Sequence, residues 1–208
     1  SLPWTLAVGV RKLYRRQAFL LRVLLHPFVH HIPFPPLSTH RTVVQPLAKR
    51  SLHALVADHV VQGRVIFPGT GYLEMARAAA ATAALHGVFF LQPLVVESPG
   101  LLITCTVSEG RFEVASSSED DAAAAATSVH CSGATTGKPA RPQHIDHASL
   151  RVLTHPADVG ALYDSFDAVG LQYGPGYRTL LQVWGGPSDA LARLRARSTH
   201  EGTQVHPA

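Results

Sequence analysis

The spacing of apolar positions along the chain changes several times, and each change marks an element. From Arg41 to Val65 short β-favouring runs recur: Thr42-Val43-Val44, Leu52 to Val56, Val60-Val61 and Val65-Ile66-Phe67. Pro68-Gly69-Thr70-Gly71 interrupts them. From Tyr72 to His86 the pattern turns helical, with Leu73, Ala76, Ala80, Ala83 and Ala84 at helical spacing. Thr70 is placed to cap this helix, Glu74 falls in its first turns, and Gly87 ends it. Small residues fill its whole length, so it can lie close against a sheet and reads as a buried central helix. Strand patterns resume at Phe89 to Val96, Leu101 to Val107, Arg111 to Ser116 and Ser128 to Cys131, with Gly110 marking a hairpin between the middle pair.

Ser116 to Thr127 is low in complexity and reads as a solvated loop. After it, Ser132 to Asp146, with Lys138-Pro139-Ala140-Arg141-Pro142, reads as a linker. A second, shorter unit follows, with a helix near Ala157 to Val169 and strands around Tyr177 to Trp184 and Ala190 to Arg197. The predicted organisation is two α+β units in tandem, 26–131 and 147–208, joined by 132–146 and preceded by a separate segment, 1–25. In that first segment Arg11, Lys12, Arg15, Arg16 and Arg22 interleave with Leu13, Tyr14, Phe19, Leu20, Leu21, Leu24 and Leu25. A membrane-surface helix, a transit peptide and a nucleic-acid arm all share this pattern. So does a linker whose apolar residues pack on a neighbour, which is the reading adopted. Pro27, Pro33, Pro35 and Pro36 then force an extended passage.

Composition narrows the class. The 208 residues are 46% hydrophobic, which is ordinary for a globular chain and argues against wholesale disorder. No run approaches the ~18 consecutive apolar residues of a membrane span. A net charge of +4 is only a mild hint of acidic partners. Two cysteines, Cys105 and Cys131, exclude a disulfide-stapled scaffold and fit a reducing, cytoplasmic setting. Ser1 opens the sequence, so an excerpt of something longer is expected.

Three segments carry candidate chemistry. His59, Gly63 and Pro68 form a His–x3–Gly–x4–Pro spacing. It puts a histidine at the end of a strand run and a glycine where backbone can approach a ligand closely. The proline then leads into a helix N-terminus that favours developing negative charge. A base beside an oxyanion-type site is what proton abstraction next to a carbonyl requires. A satisfied structural histidine near a turn fits the same spacing. The second segment, Leu171-Gln172-Tyr173-Gly174-Pro175-Gly176-Tyr177, is by itself a tight turn. The third, Val205-His206-Pro207-Ala208, says nothing alone.

Taken in order, these segments resemble the dehydratase domains of modular polyketide synthases and animal-type fatty acid synthases. His59, Gly63 and Pro68 match the family's His–x3–Gly–x4–Pro motif. Tyr173-Gly174-Pro175-Gly176-Tyr177 resembles its Tyr-Gly-Pro-x-Phe motif, with Tyr177 for Phe. His26-Pro27 resembles the family's opening, and His130-Cys131-Ser132-Gly133 the end of its first half. Leu2-Pro3-Trp4 and the Arg-rich stretch resemble the linker that precedes such domains in multidomain synthases.

The resemblance implies a double hotdog: two units, each an antiparallel sheet wrapped round a central helix, the second incomplete here. It implies removal of water from a β-hydroxyacyl thioester on an acyl carrier protein, giving an α,β-enoyl thioester. His59 would take the proton beside the thioester carbonyl, a role that suits a free imidazole of pKa about 6.5. Backbone N–H groups around Gly63 and the start of the central helix would polarise the carbonyl. Tyr173, Gly174, Pro175 and Pro68 would shape the substrate site. No metal or other cofactor is implied, because the thioester already activates the skeleton and the substrate arrives on the carrier's phosphopantetheine arm. Implied partners are the carrier protein, neighbouring synthase domains and a second copy in a homodimer. Nucleic acid and membrane are not among them.

One departure from the family concerns the acid. The family places an Asp a few residues past a His-Pro-Ala segment, and this sequence stops at His206-Pro207-Ala208. Asp158, Asp164, Asp167 and Asp189 lie elsewhere in the pattern. The expectation is a domain cut before its second catalytic residue, slow or inactive alone, with apolar strand surface exposed between Tyr177 and Arg197. Rival readings remain a product-template cyclase and a catalytically silent, dehydratase-like scaffold. Metal binding by His26, His30, His31, His40 and His53 is disfavoured, because prolines break the spacing and no carboxylate or cysteine completes a set. His130 beside Cys131 reads as a structural pair, with neighbours on a strand facing opposite ways.

Overall fold

The computed structural model describes residues 40–46, 50–80, 84–96, 100–118, 127–136, 148, 155–187 and 189–196. The basic stretch 1–25, His26, Pro27 and the prolines to Pro36, most of the Ser116–Thr127 stretch, the later part of the 132–146 linker and Val205–Ala208 lie outside the described residues.

The first unit is built on a period-two pattern meeting a period-3.6 one. Strands β1 (His40–Pro46), β4 (Ala84–Phe90), β5 (Leu101–Ser108), β6 (Arg111–Ser118) and β7 (Ser128–Thr136) form an antiparallel sheet in the order β1-β5-β6-β7-β4. On β5 the alternate residues Ile103, Cys105 and Val107 are buried, and on β6 Phe112, Val114 and Ser116 are. Helix α2 (Gly69–Ala80) turns Tyr72, Met75, Ala76 and Ala79 into the same core. Gly71 shows how closely the chain packs here, since a Cβ would sit 2.7 Å from the Phe67 ring. A sheet wrapped on one small-residue helix is the hotdog arrangement. The β5–β6 hairpin turns through Glu109 and Gly110, both at positive φ (50° and 75°), as a type I′ turn requires.

Several expected boundaries move. Leu52 to Val56 is not a strand: Arg50–Val56 forms helix α1, with Leu55 and Val56 buried while His53 and Ala54 are exposed. Pairs that alternate in and out suit a helix rather than a strand. Helix α2 begins at Gly69, so Thr70 lies in its first turn rather than before it. It is described only to Ala80, and Ala84–His86, expected as its last turn, instead open strand β4, which is paired with β7 and runs into Phe89 and Phe90, where a strand was expected. Pairing along the sheet overrides the helix propensity of the alanine run. Gly87, at φ 57°, marks a register shift within β4 instead of a helix stop. Strand β7 continues to Thr136, past the Ser132 where the linker was expected to begin. Glu74, in the first turns of this buried helix, is itself fully buried and paired with Arg77 through two contacts of 2.7 Å.

A bulge overturns the opposite facing expected of His130 and Cys131, which remain a buried structural pair. Val114 pairs Cys131 while Ala115 pairs Val129, so His130 is the extra residue and both side chains are buried. The His130 ring stacks on Tyr72, its Nε2 lies 2.7 Å from Ser116 Oγ, and its Nδ1 lies 3.2 Å from the Gln92 carbonyl. Burial lowers the imidazole's pKa.

The C-terminal residues form strands β8 (His155–Ala157), β10 (Leu180–Gly185) and β11 (Ala190–Leu194), ordered β11-β10-β8, beside helix α3 (Val159–Ala168). Asp158 caps α3, its carboxylate accepting from the Ala161 N–H at 3.0 Å. Leu181 and Leu194 are exposed, as expected for this stretch. A third small sheet joins the halves. Strand β2 (His59–Val61) lies between β3 (Arg64–Val65) and β9 (Leu171–Tyr173), so the two sequence motifs meet there. No helix among the described residues is long and apolar enough to cross a membrane.

Candidate active site

The His–x3–Gly–x4–Pro segment is a hairpin running into a helix. Gln62 and Gly63, at φ 50° and 75°, form the two-residue turn between β2 and β3. That turn explains the glycine. Nothing lies within 4 Å of the point where its Cβ would be, and its N–H donates to Gln172 Oε1 at 2.7 Å. Of the backbone N–H groups around Gly63 and the start of the central helix expected to polarise a substrate carbonyl, that of Gly63 itself is already engaged by Gln172. After the turn, the Phe67 N–H donates to the Leu94 carbonyl and the Val96 N–H to that of Val65, which pins the connector. Buried Pro68 then delivers the chain to α2.

His59 is fixed by this connector through both main chain and ring. Its carbonyl accepts from the Ile66 N–H at 3.0 Å, and its Nδ1 lies 2.7 Å from the Ile66 carbonyl oxygen. A carbonyl only accepts, so Nδ1 carries the proton. The neutral ring then keeps its lone pair on Nε2, the arrangement of a base.

Strand β9 brings the second motif against it. His59 stands opposite Tyr173 in the β2–β9 ladder. Main-chain bonds join Gly174 N–H to the Asp58 carbonyl and Gln62 N–H to the Gly170 carbonyl, which makes His59–Tyr173 a non-hydrogen-bonded pair with side chains drawn close. The two rings stack at 5.5 Å, and the Tyr177 ring approaches from another side at 5.2 Å. Tyr177 is tied down by its hydroxyl, which donates to the Leu55 carbonyl at 3.1 Å. Tyr173 is backed by Phe166 edge-on at 6.2 Å, and its carbonyl accepts from Arg178 Nε at 2.8 Å. Pro175 is exposed at the turn, where the Tyr177 N–H donates to the Gly174 carbonyl.

The structure thus brings His59, Tyr173, Gly174 and Tyr177 together, while Gly63 lies in the β2–β3 turn and Pro68 is buried where the chain enters α2. Pro175 lies on the outer side of the turn. Sequence reasoning missed Asp58, Gln172, Leu55 and Ile66. Only Asp58 carried a signal, by standing next to His59. No group of three metal-ligating side chains occurs among the described residues. Cys105 and Cys131 are free, buried thiols, with burial pushing them up to about 12 and about 11.

Comparison with known proteins agrees with this geometry. Residues 26–119 match the family described as polyketide synthase dehydratase domain, and residues 143–208 that described as polyketide synthase dehydratase N-terminal domain. Polyketide synthase ThaG of Burkholderia thailandensis is 35% identical over 156 residues, covering 68% of this chain and 3% of its own length. Polyketide synthase PksN of Bacillus subtilis is 28% identical over 189 residues, covering 82% and 3%. The chain therefore spans only a small part of these relatives. Among solved structures, the dehydratase domain from the terminal module of the rifamycin polyketide synthase is 26% identical, with a TM-score of 0.73 over 88% of this chain and 71% of that one. The dehydratase domain from the CurF module of the curacin synthase gives 23% and 0.75, over 88% and 72%, a likeness of fold. The fold is the α+β double hotdog of those domains.

Proposed function

Because the chain belongs to the polyketide synthase dehydratase domains, we propose that it removes water from a β-hydroxyacyl thioester borne on an acyl carrier protein, with His59 as general base. The observation that supports this most is the His59 ring. Its Nδ1 proton is engaged by the Ile66 carbonyl, so Nε2 offers a lone pair beside two tyrosines that limit how the ring can turn. Nε2 takes the proton from the α-carbon, and its electron pair forms the α,β double bond as the β-hydroxyl leaves. That hydroxyl takes a proton from an acid and departs as water. The family resemblance puts this acid on an Asp beyond His206-Pro207-Ala208.

Negative charge that develops on the thioester oxygen needs donors. The N-terminal turn of α2 is the proposed source, since the Gly63 N–H is already bound to Gln172. The reading needs no redox group or metal: the phosphopantetheine arm of the carrier presents the substrate, and the chemistry is proton transfer. Mass analysis of a 3-hydroxyacyl carrier protein tests it, using a form of the protein extended past Ala208. Loss of one water by the wild type, and its absence in His59→Ala, is the expected result. No loss across several acyl lengths would instead favour a cyclase or a silent scaffold.

A further inference from the structure

We infer that Asp58 is a positioning residue, clipping the Tyr173–Tyr177 turn against β2 so that both tyrosines bear on the His59 ring. This rests on the reading of His59 as the base. Asp58 and His59 are neighbours where α1 gives way to β2, so their side chains leave the backbone on different sides. While His59 engages the connector to α2, Asp58 engages the turn twice. Its main-chain carbonyl accepts from the Gly174 N–H at 2.8 Å, and its carboxylate Oδ2 accepts from the Gly176 N–H at 2.6 Å.

The turn is shaped around this carboxylate. A Cβ at Gly174 would collide with Asp58 Oδ1, and one at Gly176 would lie 2.7 Å from Oδ2. Gly-Pro-Gly, which the sequence explains equally well as an ordinary tight turn, is here the notch into which Asp58 fits. Tyr173 and Tyr177 sit immediately before and after the notch, and their rings lie 5.5 and 5.2 Å from that of His59. An ionised acceptor makes a stronger bond to a backbone N–H than a neutral one, so the carboxylate fixes this spacing more firmly than an amide would. Removing it frees the turn without touching the ring's own bond to Ile66. Displacement of a catalytic group by about 1 Å is enough to cost on the order of a hundredfold in rate.

The test pairs turnover with a signal that does not depend on it. In the extended protein, Asp58→Ala should lower kcat roughly ten- to a hundredfold while KM changes less than about threefold, and Asp58→Asn should recover most of the loss. By NMR, the ring protons of His59 lie under the ring currents of both tyrosines. Asp58→Ala should shift them, while those of His130, in the other sheet, stay in place. Should Asp58→Ala fail to fold, Gly176→Ala carries the test, because its methyl group presses on the same carboxylate, and the same His59 shift is expected. Unchanged kcat with unchanged His59 resonances would overturn the role of Asp58. If dehydration itself survives His59→Ala, the reading of the base has failed, and the NMR shift still decides whether Asp58 holds the turn.

Discussion

Gly71→Ala sets two effects of similar size against each other at the entrance to α2. Alanine favours helix over glycine by about 1 kcal/mol at an interior position, and less in a first turn. Against this, the new methyl group would lie 2.7 and 2.8 Å from two carbons of the Phe67 ring. That ring is 2% exposed and packs at 4.9 Å on Tyr72, so it has no free side toward which to swing. Overpacking of this kind costs ~1–3 kcal/mol, and the balance is a net loss of about 1–2 kcal/mol. Urea unfolding of wild type, Gly71→Ala, Phe67→Leu and the double variant measures it. The double variant should be more stable than the sum of the single losses by about 1 kcal/mol, because leucine vacates the contested volume. A Gly71→Ala protein more stable than wild type, or strictly additive losses, would refute the close approach of helix and connector.

Two further outcomes follow from buried groups. Burial lowers the pKa of His130, so the folded state resists the proton more than the unfolded state does. The stability tied to neutral His130 is complete above the unfolded value of about 6.5 and is lost as pH falls through the lower folded value. Urea midpoints at pH 7 and pH 5 should therefore diverge in wild type and converge in His130→Gln; equal divergence in both would contradict this. Cys105 and Cys131, pushed up to about 12 and about 11 and fully buried, should resist iodoacetamide until the protein unfolds. Rapid labelling of the native state at either residue would show that the core opens to solvent despite the burial of both thiols.

Much of the fold was legible because the sheet residues alternate cleanly. Ile103, Cys105 and Val107 against Phe112 and Val114 show period two as plainly in the sequence as in the core. The alanine run reads as helix through His86 because Ala and Leu favour it, yet Ala84 to His86 form strand because β7 offers a ladder, which no local pattern reveals. At the site, the motif spacings single out His59 and Tyr173, and the structure places their rings side by side across the β2–β9 ladder. Gly63 serves a hairpin turn, and its N–H serves Gln172, a partner 109 residues away. Asp58 is marked in the sequence only by standing next to His59. Its partners are backbone amides of a distant turn, and main-chain donors leave no mark on composition or spacing.

In the proposed reaction, Nε2 of His59 removes the α-proton. The most direct measurement uses a 3-hydroxyacyl carrier protein deuterated at the α-carbon, with the protein extended past Ala208. Wild type is predicted to lose water more slowly from the deuterated substrate than from the ordinary one, with the label passing to solvent. His59→Gln should lose about 10²–10⁴-fold in rate. Water loss that persists undiminished in His59→Gln would contradict the assignment of the base.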